Sequence, residues 1–159
     1  MAEQFFPDVP KIKYEGPDSK NPLAFKHYNA DEVVAGKSMR EHFRFSMCYW
    51  HGMTNDLSDP FGVGTRIMPW RQADDPMQAA EQTMHAMFEA LTKLGLDFWC
   101  FHDRDIAPEV EGNLAATNRN LEELSKLAKG DQDSAGGKVV RGAAGLLQQA
   151  HYITGAGDK

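Results

Sequence analysis

The sequence predicts an α/β fold built on a parallel sheet, and three observations carry that expectation. Short apolar runs at residues 44–50 and 98–101 are too brief for buried helices and read as strands. Between and after them lie two stretches with apolar residues at helical spacing. A third short run at residues 138–142 completes the alternation strand, helix, strand, helix, strand, which implies right-handed crossovers and parallel pairing.

Taken in chain order, residues 1–40 carry Pro7, Pro10, Pro17 and Pro22 and read as an extended arm with little core of its own. Within it, Asn29-Ala30-Asp31-Glu32 predicts the start of a short helix, with Asn29 capping and Glu32 three residues later. Residues 41–159 form the second division. Arg44-Phe45-Ser46-Met47-Cys48-Tyr49-Trp50 is its first strand. Residues 52–70 form a long loop with Asp59-Pro60-Phe61-Gly62 as its clearest turn, and loops of that length inside a domain are commonly functional or interface-forming. Asp75-Pro76 opens a helix, with a cap and then proline at the first position; Ala80, Met84, Met87, Phe88, Leu91 and Leu94 form its apolar stripe, and Gly95 ends it. The methionines in that stripe are core filler. A second helix is expected over 113–129, followed by a polar loop over 130–137 and the last strand.

The chain has 159 residues, 42% hydrophobic and 25% charged, enough for one domain with a real core. Its net charge of −6 argues against a nucleic-acid partner, because phosphate binding needs broad neutralisation. Cys48 and Cys100 lie within apolar runs and read as two buried thiols in a reducing compartment. The first ten residues carry Glu3 and Asp8 and lack a signal-peptide pattern, and no apolar run is long enough to span a bilayer. The expected location is cytoplasmic, without a membrane partner. Dinucleotide-binding, phosphate-loop, serine-hydrolase and zinc-protease signatures are all missing from the sequence.

Candidate chemistry gathers at Phe98-Trp99-Cys100-Phe101-His102-Asp103-Arg104-Asp105, where an apolar strand ends in histidine among carboxylates. Strand carboxyl ends are where α/β folds keep their sites. Asp105, three residues after His102, is close enough to hold one ring nitrogen and set the tautomer. His51 follows Trp50 as His102 follows Phe101, so two histidines at neighbouring strand ends would share one crevice. His27, His42, His85 and His151 read as surface or helix-face residues.

Four blocks occur in a recognisable order: Asn21-Pro22-Leu23-Ala24-Phe25-Lys26-His27-Tyr28, Tyr49-Trp50-His51, Asp59-Pro60-Phe61-Gly62, and Cys100-Phe101-His102-Asp103-Arg104-Asp105-Ile106-Ala107-Pro108-Glu109. Together they resemble the N-terminal segment of the xylose isomerase family, of its longer subtype, strongly over about residues 5–120 and weakly over 121–159. The resemblance implies a partial TIM (β/α)8 barrel, about the first three βα units, preceded by the arm. It implies metal-assisted conversion of D-xylose to D-xylulose by hydride shift in the family. His102 would assist ring opening, with Asp105 orienting it. Trp50 would wall the sugar pocket, and Phe61 would reach into a neighbouring subunit's site. Mg²⁺ or Mn²⁺ is the implied cofactor, held by carboxylates and a histidine of later strands, so no metal ligand is assigned to this chain. The implied partners are an aldose sugar and either a homo-oligomer or the missing barrel half. Gly52 and Arg141 depart from the family's threonine and tryptophan. Length matters as well, since a full barrel needs about 250 residues. The expectation is a truncated isomerase, inactive alone; the alternative is a non-catalytic assembly or binding protein made from a barrel fragment.

Overall fold

The structure, a computed structural model, describes residues 4–143. Residues 1–3 and the tail beyond, with His151 and the last part of the weakly matching stretch, lie outside the described residues. The fold is mixed α/β with small sheets. Its centre is a three-stranded sheet of β5 (Ser46–Cys48), β6 (Phe98–His102) and β7 (Lys138–Ala143), ordered β5-β6-β7, with both pairings parallel. Two helices connect them, α2 (Pro76–Leu94) and α4 (Leu114–Ala135). Ahead of the sheet come two small strand pairs. β1 (Lys13–Tyr14) lies parallel to β2 (Ala24–Phe25), and β3 (Val33–Val34) lies antiparallel to β4 (Lys37–Ser38). The short helix α1 (Met39–His42) follows β4, and the one-turn α3 (Asp103–Ile106) follows β6.

Helix α2 obeys its local signals. The Asp75 carboxylate accepts the Met77 amide at 3.2 Å, and Gly95 adopts the left-handed φ of 66° that ends the helix. Met84, Ala86, Met87, Phe88 and Leu91 are buried on one face. They meet Trp99 of β6, which lies edge-on to Phe88 and donates its indole N–H to Gln132 of α4 at 3.1 Å.

Three expectations need correction. Asn29 does not start a helix. Its side chain accepts the Asp31 amide in a local turn, and the β-branched pair Val33-Val34 then forms a hairpin through Ala35-Gly36, both at positive φ. The helix begins ten residues later at Met39, where Ser38 and Glu41 make the reciprocal cap. The strand predicted over 44–50 covers only Ser46–Cys48. Tyr49 turns into helical geometry and a π-type turn over Trp50–Thr54 follows, because Tyr49 and Met53, four apart, are both fully buried in the core. The second helix continues through the predicted loop to Ala135. Gly130 costs about 1 kcal/mol there, but Asp131 bonds His85 of α2 at 2.8 Å and Gln132 holds Trp99. Gly136, at a φ of 70°, ends α4.

The N-terminal segment also contributes to the core. The amides of Phe5 and Phe6 donate to the Glu89 carboxylate at 2.8 and 3.2 Å, while the Lys93 ammonium donates to the Phe6 and Val9 carbonyls. Both phenyl rings pack against Trp70, with centroids 6.3 and 5.4 Å away. Replacing Glu89 with alanine is expected to cost about 1.5–3 kcal/mol, as charge-assisted bonds to two amides and to Lys93 are lost. Urea denaturation measures the loss, and hydrogen exchange should quicken at the Phe5 and Phe6 amides. Unchanged protection of those amides would refute the clasp.

Candidate active site

His102 ends β6 and Asp105 lies in α3, so a single turn of helix folds the carboxylate back onto the strand end. One oxygen, Oδ2 of Asp105, accepts both the His102 backbone N–H and Nδ1 of its ring, each at 2.8 Å. Asp105 is 2% exposed at its side chain and His102 is 46% exposed. The buried partner is therefore fixed and the ring faces outward. With Nδ1 donating to the carboxylate, Nε2 of the neutral ring is the acceptor, free to take or return a proton.

Tyr49 stands behind this pair. Its hydroxyl is buried and has no hydrogen-bond partner among the described residues. Burial pushes its phenol far up, and the Asp105 charge adds to that, so the group stays neutral. Sequence reasoning passed over Tyr49 because it read as one more apolar residue of a strand. Arg104 pairs with Glu109 and ties the segment after α3 to its start.

Trp50 and Phe61 belong to other elements. Trp50 sits half-buried in the π-type turn, edge-on to His51 at 4.5 Å. It lines a polar cleft of about 380 Å³ with Thr54, Asn55, Asp56, Arg66 and Arg71. Those arginines donate to backbone carbonyls of the same turn, Gly52 and Thr54 among them. Since β5 ends at Cys48, His51 lies in the turn that follows the strand and not on the strand itself. A Cβ at Gly52 would lie 2.9 Å from Cε of Met47, the movable end of a flexible side chain. Phe61 is held by its backbone in a turn where Asp59 and Gly62 bond reciprocally at 3.2 and 3.3 Å, and its ring is 96% exposed. A larger cavity of about 770 Å³ lies at the opposite, amino ends of β5 and β6, among Phe25, Tyr28, Phe43, Phe45 and Asp97, away from His102.

Among the described residues no group of three or more His, Cys, Asp or Glu is placed to hold a metal ion. The carboxylate nearest His102 already spends its oxygen on the imidazole and the backbone. These residues do not fit a site for hard divalent cations, which takes several oxygen ligands. No helix among the described residues is long and apolar enough to cross a membrane.

No family model matches the sequence. Curated relatives do. A xylose isomerase of Arabidopsis thaliana is 48% identical over 151 residues, 95% of this chain and 31% of the relative. One of Caldanaerobacter subterraneus is 46% identical over 153 residues, 96% of this chain and 35% of the relative. Xylose isomerase 1 of Xanthomonas campestris is 44% identical over 155 residues, 98% of this chain and 34% of the relative. The chain thus spans about a third of the length of the curated relatives it matches. These relatives imply a TIM-barrel family with a divalent metal cofactor. Over about 95% of its residues, the chain is homologous to the xylose isomerases and corresponds to an N-terminal segment of them.

Proposed function

We propose that this chain carries the ring-opening half of a xylose isomerase site and lacks the isomerising half. The observation that supports this best is the His102–Asp105 pair at a strand's carboxyl end, with buried Asp105 on Nδ1 and the outer ring nitrogen left for substrate. In this reading His102 exchanges a proton with the ring oxygen and anomeric hydroxyl of an aldose, and Asp105 keeps the ring oriented and stabilises it when charged. Mg²⁺ or Mn²⁺, with its ligands, belongs to the part of the relatives this chain does not span.

The same reading takes residues 1–40 as an arm and 41–159 as about three βα units of a partial barrel, in a cytoplasmic protein. Trp50 becomes a wall of the sugar pocket once the barrel is complete. Exposed Leu57, Phe61, Val63 and Ile67 make the long loop an apolar surface, which suits Phe61 reaching into a second subunit. The partner is a second copy or the complementary barrel half, since the outer edges of β5 and β7 are unpaired among the described residues.

The test is incubation of the purified chain with D-xylose and Mn²⁺, followed by detection of xylulose. No turnover is expected. Turnover that disappears in His102→Ala would show that the chain holds the whole site.

A further inference from the structure

Residues directly opposed on neighbouring parallel strands project from the same face, with backbones about 4.8 Å apart. Ser46, Met47 and Cys48 oppose Phe98, Trp99 and Cys100 in that order. Trp99 points into the helix layer and Met47 packs against the same core. Side chains alternate along a strand, so Cys48 and Cys100 stand side by side on the face turned away from the helices. Both are reduced and only half-buried, which corrects the expectation of two buried thiols.

We infer that Cys48 and Cys100 form a redox pair that closes to a cross-strand disulfide with a peroxide as oxidant. One thiolate attacks the peroxide oxygen; an S–O bond forms, the O–O bond breaks, and the departing hydroxide takes a proton to become water. The second thiol then attacks the resulting sulfenic sulfur; the S–S bond forms and the S–OH oxygen leaves as a second water. Two thiols are oxidised by two electrons and one hydrogen peroxide is reduced to two waters. Strand spacing falls within the roughly 4.4–6.8 Å that disulfides require between Cα atoms. Side-by-side Cβ vectors must still bend inward to bring the sulfurs to about 2.05 Å, so the bridge is strained and readily reduced. His102 lies two residues past Cys100 on the same face, so the bridge ties β5 to β6 immediately before the His102–Asp105 pair.

The experiment treats the intact chain with equimolar hydrogen peroxide and follows intact mass, thiol titration and a non-reducing tryptic map. The expected result is a loss of about 2 Da, the two hydrogens removed on disulfide formation. Both thiols should vanish together, tryptic peptides 45–66 and 94–104 should be linked within one chain, and dithiothreitol should reverse all three changes. In Cys48→Ser, Cys100 should instead gain oxygen and form no intramolecular bridge. Independent oxygen addition at the two wild-type cysteines, disulfides formed only between chains, or two inert thiols in the folded chain would each overturn the proposal.

Discussion

A chimera in which this chain replaces the matching segment of the Caldanaerobacter subterraneus xylose isomerase is expected to lose about 10²–10⁴-fold in kcat/KM when His102 becomes alanine. That span is the usual value of one well-placed proton-transfer group. The imidazole is positioned for it, because the Asp105 oxygen that orients the ring also holds its backbone N–H, so ring and strand end move as one body. Asp105→Asn should cost less, since an amide oxygen can still accept from Nδ1 but carries no charge to stabilise the imidazolium. A short aldose that cannot close into a ring should lose far less activity in the His102 variant if ring opening is its role. A change in the chimera of less than about threefold, well under one kcal/mol by rate arithmetic, would remove His102 from the chemistry.

The second large effect is on stability. Trp99→Ala should destabilise the fold by about 3–5 kcal/mol, a sizeable part of the 5–15 kcal/mol that holds a typical domain together. Trp99 is 1% exposed and stacks on Phe101 at 4.9 Å, meets Phe88 at 5.2 Å and Tyr49 at 6.4 Å, and bonds Gln132. It is the side chain through which β6 touches both α2 and α4, so truncation leaves a cavity between layers that neighbouring residues cannot fill. The midpoint of urea denaturation reports the loss, and Trp99→Phe should recover most of it. A cost under about 1.5 kcal/mol, the range of a volume-conserving swap, would mean the layers collapse onto the gap.

What the sequence could reveal depended on how local each cause was. Asp75, Pro76 and Gly95 act on their own backbone, so the bounds of α2 were legible within a few residues. The contact of His102 with Asp105 was also legible, because three residues is one turn and the partner lies within it. The extension of α4 past Gly130 was not, since its causes are His85 and Trp99, far away in sequence. Asn29 misled because the same side chain that caps a helix also closes a turn, and Val33-Val34 decided between them. Tyr49 read as strand because apolar runs do not say which side chains must face inward; burying both Tyr49 and Met53 requires a turn of helix, and that turn carries Trp50 and His51 off the line of β5.

The grip of Glu89 and Lys93 on Phe5 and Phe6 joins residues 83–87 positions apart in the chain. During translation the phenylalanines are made well before Glu89 and Lys93. At about 5–20 residues per second, the interval is on the order of ten seconds. Until Trp70 and α2 have followed, two adjacent aromatic side chains lack the surfaces that cover them in the fold. A holding chaperone that captures short aromatic segments would therefore meet the Phe5-Phe6 pair and be displaced when α2 appears.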